Sequence, residues 1–177
     1  MSTLSIDPGS ADPGPACVWF DDAERLCAAS CTFFPTPPAH FARLRTVVVE
    51  RMQADARTRN IDVRYLLACQ FAGALAAGFA AGPTRADVVD LTPTEWKGNE
   101  PKPAQHARLW RVLDAAERAV LGGAETERRI AAAVEKGALC RWSKPGDALY
   151  GTWKGHNLLD AAALGCVYLG RMARHTR

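Results

Sequence analysis

One close pair of cysteines is too few for a structural zinc site. Cys27 and Cys31 lie four apart, while Cys17, Cys69, Cys140 and Cys166 are scattered. No second close pair follows to complete a four-ligand set. Most of the six fall in apolar runs, which reads as reduced, buried thiols of a cytoplasmic protein. An apolar leader is missing as well. The chain opens polar and reaches Asp7 and Pro8 at once, so no secretory signal is expected. A strongly apolar run is also lacking. Residues 65–81 have the length, but they are rich in Ala and Gly and include Gln70, so no membrane span is expected. The net charge of +3 is too mild to name a partner, and no internal repeat is visible.

What is present fits a globular protein. With 177 residues, 48% hydrophobic and 23% charged, the chain can bury a core as one domain spanning 1–177. Leu4-Ser5-Ile6-Asp7 reads as a short buried strand that ends on an acid, and Pro8-Gly9 turns the chain. Residues 16–20 and 26–34 give two further strands, the three together suggesting an antiparallel meander. Three consecutive valines in Arg45–Glu50 suit a strand covered on both faces, and Glu50 closes it. A helix is expected from a cap at Asn60 or Asp62 to about Phe79, with Leu66, Leu67, Phe71, Leu75 and Phe79 as its stripe. A fifth strand at 87–91 is followed by a polar loop over 92–103 carrying Trp96, Lys97 and Lys102. Helices are expected at 104–121, 125–139 and 158–175, with a second loop at 141–155. The order predicts an α/β protein with a central five-stranded mixed sheet and helices on both faces.

Three acids stand where such a sheet would gather them. Asp7 and Glu50 end two strands, and Asp160 opens the last helix. Packed together they would repel, and a divalent cation between them would relieve the repulsion. Hard oxygen ligands suit Mg²⁺ or Mn²⁺. Two such ions about 4 Å apart activate a water and stabilise the leaving oxygen of a phosphodiester. His156 and Asn157 are further candidate ligands. Each acid also has an ordinary reading. Asp7 would cap its own turn, Glu50 would be a strand-end charge, and Asn157-Leu158-Leu159-Asp160 would approximate a capping box. Arg51, Arg57 and Arg59, with Lys97 and Lys102, flank the proposed site and are candidates for phosphate contacts.

These segments, in order, resemble a known family. Ile6-Asp7-Pro8-Gly9-Ser10 resembles the first strand of RuvC-type Holliday-junction resolvases, members of the RNase H-like superfamily. Val47-Val48-Val49-Glu50 resembles the strand with their second acid, and residues 67–73 resemble the helix after it. Val89 to Lys97, with Pro93, resembles the fifth strand and its lysine-bearing loop. His156 to Leu164 resembles the final helix with the last acid. The resemblance implies an RNase H-like nuclease fold and a homodimer making paired nicks in four-way DNA junctions. It also implies two Mg²⁺ or Mn²⁺ ions held by Asp7, Glu50 and Asp160, with Lys97 or Lys102 on phosphate near the cut. Three departures stand out. Asn157 occupies the place of a fourth acid or a His, and the region between the third and fourth strands is short. Arg51-Met52-Gln53 follows Glu50 where an aromatic is usual. The rival function is a nucleic-acid-binding module that kept the fold and lost turnover. An actin-like ATPase would need two such domains, and 177 residues is too short for that.

Overall fold

The computed structural model describes residues 2–9, 15–31, 44–51, 63–82, 85–135 and 155–174. The prolines at 35–38, Arg57, Arg59, the caps at Asn60 and Asp62, Cys140, the loop from Trp142 to Lys154 and the tail from His175 lie outside them. Five strands form the sheet: β1 (Ser2–Asp7), β2 (Ala16–Phe20), β3 (Leu26–Ser30), β4 (Leu44–Glu50) and β5 (Asp87–Leu91). Their spatial order is β3-β2-β1-β4-β5. β1, β2 and β3 pair antiparallel, whereas β4 runs parallel to both β1 and β5. A meander continued by two parallel strands, with helices on both faces, is the central five-stranded mixed sheet that the sequence predicts. β1 is the middle strand, which is why even its Ser2, Thr3 and Ser5 are buried.

Side chains alternate across a strand, so each strand feeds two cores. Leu4, Ile6, Cys17, Trp19, Val47 and Val49 pack on one face, with Ala72, Leu75 and Phe79 of helix α1 (Val63–Ala81). Ala16, Val18, Phe20 and Val48 face the other way, towards α6 (Gly155–Tyr168). Every residue of α6 from Leu159 to Val167 is buried, because the sheet covers one side and helix α3 (Lys102–Val112) packs against it as well. Gly165 permits the close approach: a Cβ there would sit 2.3 Å from Cε2 of Phe20. On α1 the small residues behave differently. A Cβ at Gly73 or Gly78 would meet nothing, and Leu66 is 53% exposed.

Several boundaries depart from the sequence reading, for local reasons. The expected helix 104–121 is two helices, α3 and α4 (Ala115–Val120), broken at Leu113. Asp114 starts the second by accepting a hydrogen bond from the Glu117 backbone N–H at 2.9 Å, while Glu117 accepts one from the Asp114 N–H at 2.9 Å. The polar loop after β5 contains a short helix, α2 (Pro93–Trp96), with the same box between Thr92 and Glu95. Helix α5 (Gly123–Glu135) is followed by α6, which begins at Gly155 rather than Leu158. That start removes the capping-box reading of Asp160, since Asn157 lies inside the helix and Asp160 beyond its first turn. Among the described residues the cysteines are free thiols, and no helix is long and apolar enough to cross a membrane.

Candidate active site

Strand geometry brings two of the acids side by side. Ile6 pairs with Val49 across the parallel β1–β4 ladder, so Asp7 and Glu50 follow at adjacent carboxyl ends. By alternation both leave the sheet on the side of Ser5 and Val48, where α6 lies. α6 carries Asp160 over that edge. All three are buried: Asp7 is 6% exposed, Glu50 6% and Asp160 3%.

Electrostatics link the three. Burial pushes the Asp7 carboxyl well above the usual carboxylate range, and the charges of Glu50 and Asp160 push it further. The Lys102 charge opposes this, as does a backbone hydrogen bond from the Gly9 N–H to Asp7 Oδ1 at 2.9 Å. The turn reading of Asp7 therefore holds alongside its place in the cluster, with Gly9 at φ 61° completing the turn.

The other two acids have cationic neighbours. Lys97 Nζ lies 3.2 Å from Glu50 Oε1, and Trp96 Nε1–H donates to the same oxygen at 3.3 Å. Burial works against the charge on Lys97, but Glu50, Asp160 and Asp7 outweigh it and hold its pKa above the ordinary value. Lys102 forms an ion pair with Asp160 Oδ2 and donates to His156 Nδ1 at 3.0 Å. An ammonium group only donates, so His156 is the acceptor there and is neutral. Burial, followed by the Lys102 charge, accordingly lowers the His156 pKa to about 4. His106 Nε2 lies 2.8 Å from Asp160 Oδ1. Burial would favour a protonated Asp160, yet Lys102 and His106 hold its pKa well below the ordinary range.

The described sequence-derived site residues thus fall into four groups. Asp7, Glu50 and Asp160 share one electrostatic environment. Lys97 and Lys102 turn into it, with side chains 28% and 24% exposed, so in this conformation they serve the acids. His156 touches Lys102, and Asn157 stands half-buried one turn before Asp160 on the same helix. Arg51 stays exposed and lines a separate cleft of about 320 Å³ with Cys69, Gly73 and Asp90. Two neighbours of the acids were missed, and both are fully buried: Trp96 and His106. A signal existed for each. The Thr92-Pro93-Thr94-Glu95 box announces a helix where Trp96 sits, and His106 lies three residues before Leu109 and four before Trp110 on the buried stripe of α3.

In kind, the donor set fits a hard divalent cation: three carboxylates, with negative charge in surplus at Asp7. In arrangement it is closed by lysines. Among the described residues no three His, Cys, Asp or Glu side chains are gathered so as to hold a metal ion. Among known proteins, no family model and no curated protein matches the chain. A solved structure of Thermus thermophilus RuvC is similar over 99% of this chain and 100% of that chain, at 17% identity and a TM-score of 0.43.

Proposed function

We propose that the chain is a metal-dependent, structure-selective DNA endonuclease, acting as a homodimer on branched DNA and nicking four-way junctions in pairs. The observation that carries this reading is the surplus charge at Asp7. A fold that buries three acids at one sheet edge, and drives the pKa of one of them up, has destabilised that edge. In this reading Asp7, Glu50 and Asp160 hold Mg²⁺ or Mn²⁺, with Asn157 and His156 beside them. The ions would supply an activated water and a charge sink for the leaving oxygen. Asp7 anchors the site because its turn is fixed through Gly9. Lys97 and Lys102, relieved of neutralising the acids, turn to phosphate together with Arg51, Arg57 and Arg59. The branched substrate comes from the resemblance to RuvC-type resolvases in sequence. The open small-residue face of α1 supports a partner copy there. The test is a nicking assay on labelled four-way junctions with Mg²⁺, Mn²⁺ or EDTA. Symmetric nicks that need metal are expected.

One observation favours the second reading, a binding module without turnover. Two ammonium groups already neutralise Glu50 and Asp160. A protein that binds junctions tightly but leaves them intact with either metal would establish that reading and end the first.

A further inference from the structure

We propose that Trp96 and His106 are positioning residues for the acid cluster, each fixing one carboxylate oxygen through a buried ring N–H. The inference rests on the metal-dependent reading above. Both side chains are 0% exposed. Trp96 Nε1 donates to Glu50 Oε1 at 3.3 Å, and His106 Nε2 lies 2.8 Å from Asp160 Oδ1. An ionised Asp160 can only accept, so the proton on this bond belongs to His106 Nε2. Both donors come from the stretch 96–106, which leaves β5 and runs through α2 into α3.

The chemistry separates these donors from the lysines beside them. An ammonium on a four-carbon stem is mobile and charged, so another cation can take its place. A ring N–H packed on all sides neither swings away nor adds positive charge. Glu50 and Asp160 each have one donor of either kind. For Asp160 the two act on different oxygens, His106 on Oδ1 and Lys102 on Oδ2. Exchange of Lys102 for a cation would therefore leave Oδ1 held and Oδ2 already aimed. For Glu50 both act on Oε1, which leaves Oε2 outside either contact. Groups that orient ligands in this way typically account for about 10–100-fold in metal affinity. Ordinary core packing would require the rings for their volume alone.

The experiment measures Mn²⁺ binding to the full chain by titration calorimetry after chelator treatment, with thermal unfolding run in parallel. His106→Phe and Trp96→Phe keep an aromatic ring and remove the N–H. Each is expected to weaken Mn²⁺ binding by about 10–100-fold while still unfolding cooperatively. His106→Gln restores an N–H donor and should recover most of the affinity. If His106→Phe does not fold, Trp96→Phe and His106→Gln decide the matter. Folded Phe variants that bind Mn²⁺ as the wild type does would overturn the proposal. Wild-type protein that takes up no Mn²⁺ would overturn the metal reading and this inference with it, and that failure appears before any variant is compared.

Discussion

Asp7 and Glu117 are both buried carboxylic acids, and their surroundings treat them in opposite ways. Glu117, on α4, is 1% exposed. Its Oε1 accepts from the Leu26 backbone N–H at 2.8 Å and from Arg171 Nη1 at 2.5 Å. Its Oε2 accepts from the Asp114 N–H at 2.9 Å and from Arg171 Nη2 at 2.7 Å. Burial alone would raise the Glu117 pKa, but these donors bring it down to about 2. Asp7 has one backbone donor and the charge of Lys102 in its favour, but burial and two acidic neighbours outweigh them and push its pKa up. A charge answered on every side by its own chain holds the fold together. A charge left in surplus weakens the fold, and sites that bind or react are where chains tolerate such weakness.

The sharpest way to break the comparison is at Asp7. Asp7→Asn keeps the shape and the Gly9 bond and removes one charge. On the proposed reading, junction cleavage with Mg²⁺ is expected to fall on the order of 10³-fold, while junction affinity stays near wild type because that reading assigns the phosphate contacts to other residues. An Asp7→Asn protein that nicks at the wild-type rate would refute the mechanism.

Glu117 should show the reverse: a large loss of stability. Arg171 also donates to the carbonyls of Glu24 at 2.8 Å and Val112 at 3.1 Å, so it ties the turn after α6 to the β2–β3 connection and to α3. Arg171→Ala leaves the buried Glu117 carboxylate its two backbone donors but no counter-charge, and is expected to destabilise by about 3 kcal/mol. For a chain of this size that is ~6–12 °C in Tm. Denaturant unfolding followed by circular dichroism reads it directly, and a change within ±0.5 kcal/mol would show the clasp to be incidental.

The same clasp predicts an acid limb. The pKa of Glu117 is lower folded than unfolded, so its contribution is present above the ordinary value of 4.5 and is lost as pH falls towards about 2. Glu117→Gln removes the titrating group, so its stability should start lower at neutral pH and change less between pH 4.5 and 2. Parallel acid-unfolding curves for the two proteins would contradict this.

The two acids also differ in how well the sequence announced them. Asp7, Glu50 and Asp160 were legible because each ends or enters an element with a strong apolar pattern, and the alternation of β1 and β4 already sets the side they leave by. The valines of β4 and the Ala-rich α6 made the sheet and its covering helix readable in the same way. Glu117 was not singled out, since its partners Leu26 and Arg171 are far away in sequence and only the folded chain joins them. Its local partner was readable: Asp114-Ala115-Ala116-Glu117 is a capping box inside what periodicity alone takes for one helix. His106 and Trp96 escaped for a related reason. Their buried positions follow from spacing, but their bonds to Asp160 and Glu50 come from how α2 and α3 lie over the sheet edge.

The smallest effect is the most direct test of surplus charge. Asp7 has a folded pKa above its unfolded one, so the folded state binds more protons in the interval between them. Stability then falls as pH rises through that interval. Below the ordinary value of 3.8, Asp7 is protonated in both states, and Asp7→Asn should unfold at the wild-type temperature. As pH rises from there the wild type bears the growing repulsion of Glu50 and Asp160, and the Asn variant does not. In EDTA-containing buffer the variant should therefore gain in Tm with pH and level off once Asp7 is fully ionised. The conversion is ~2–4 °C for each kcal/mol of repulsion removed. Lys97 and Lys102 limit the gain, because they already answer part of the charge on its two neighbours. A differential scan across pH 4–8 reads the trend. An Asp7→Asn protein that is less stable than wild type at pH 8 without metal would mean that the carboxylate is satisfied where it stands, and the contrast with Glu117 would be gone.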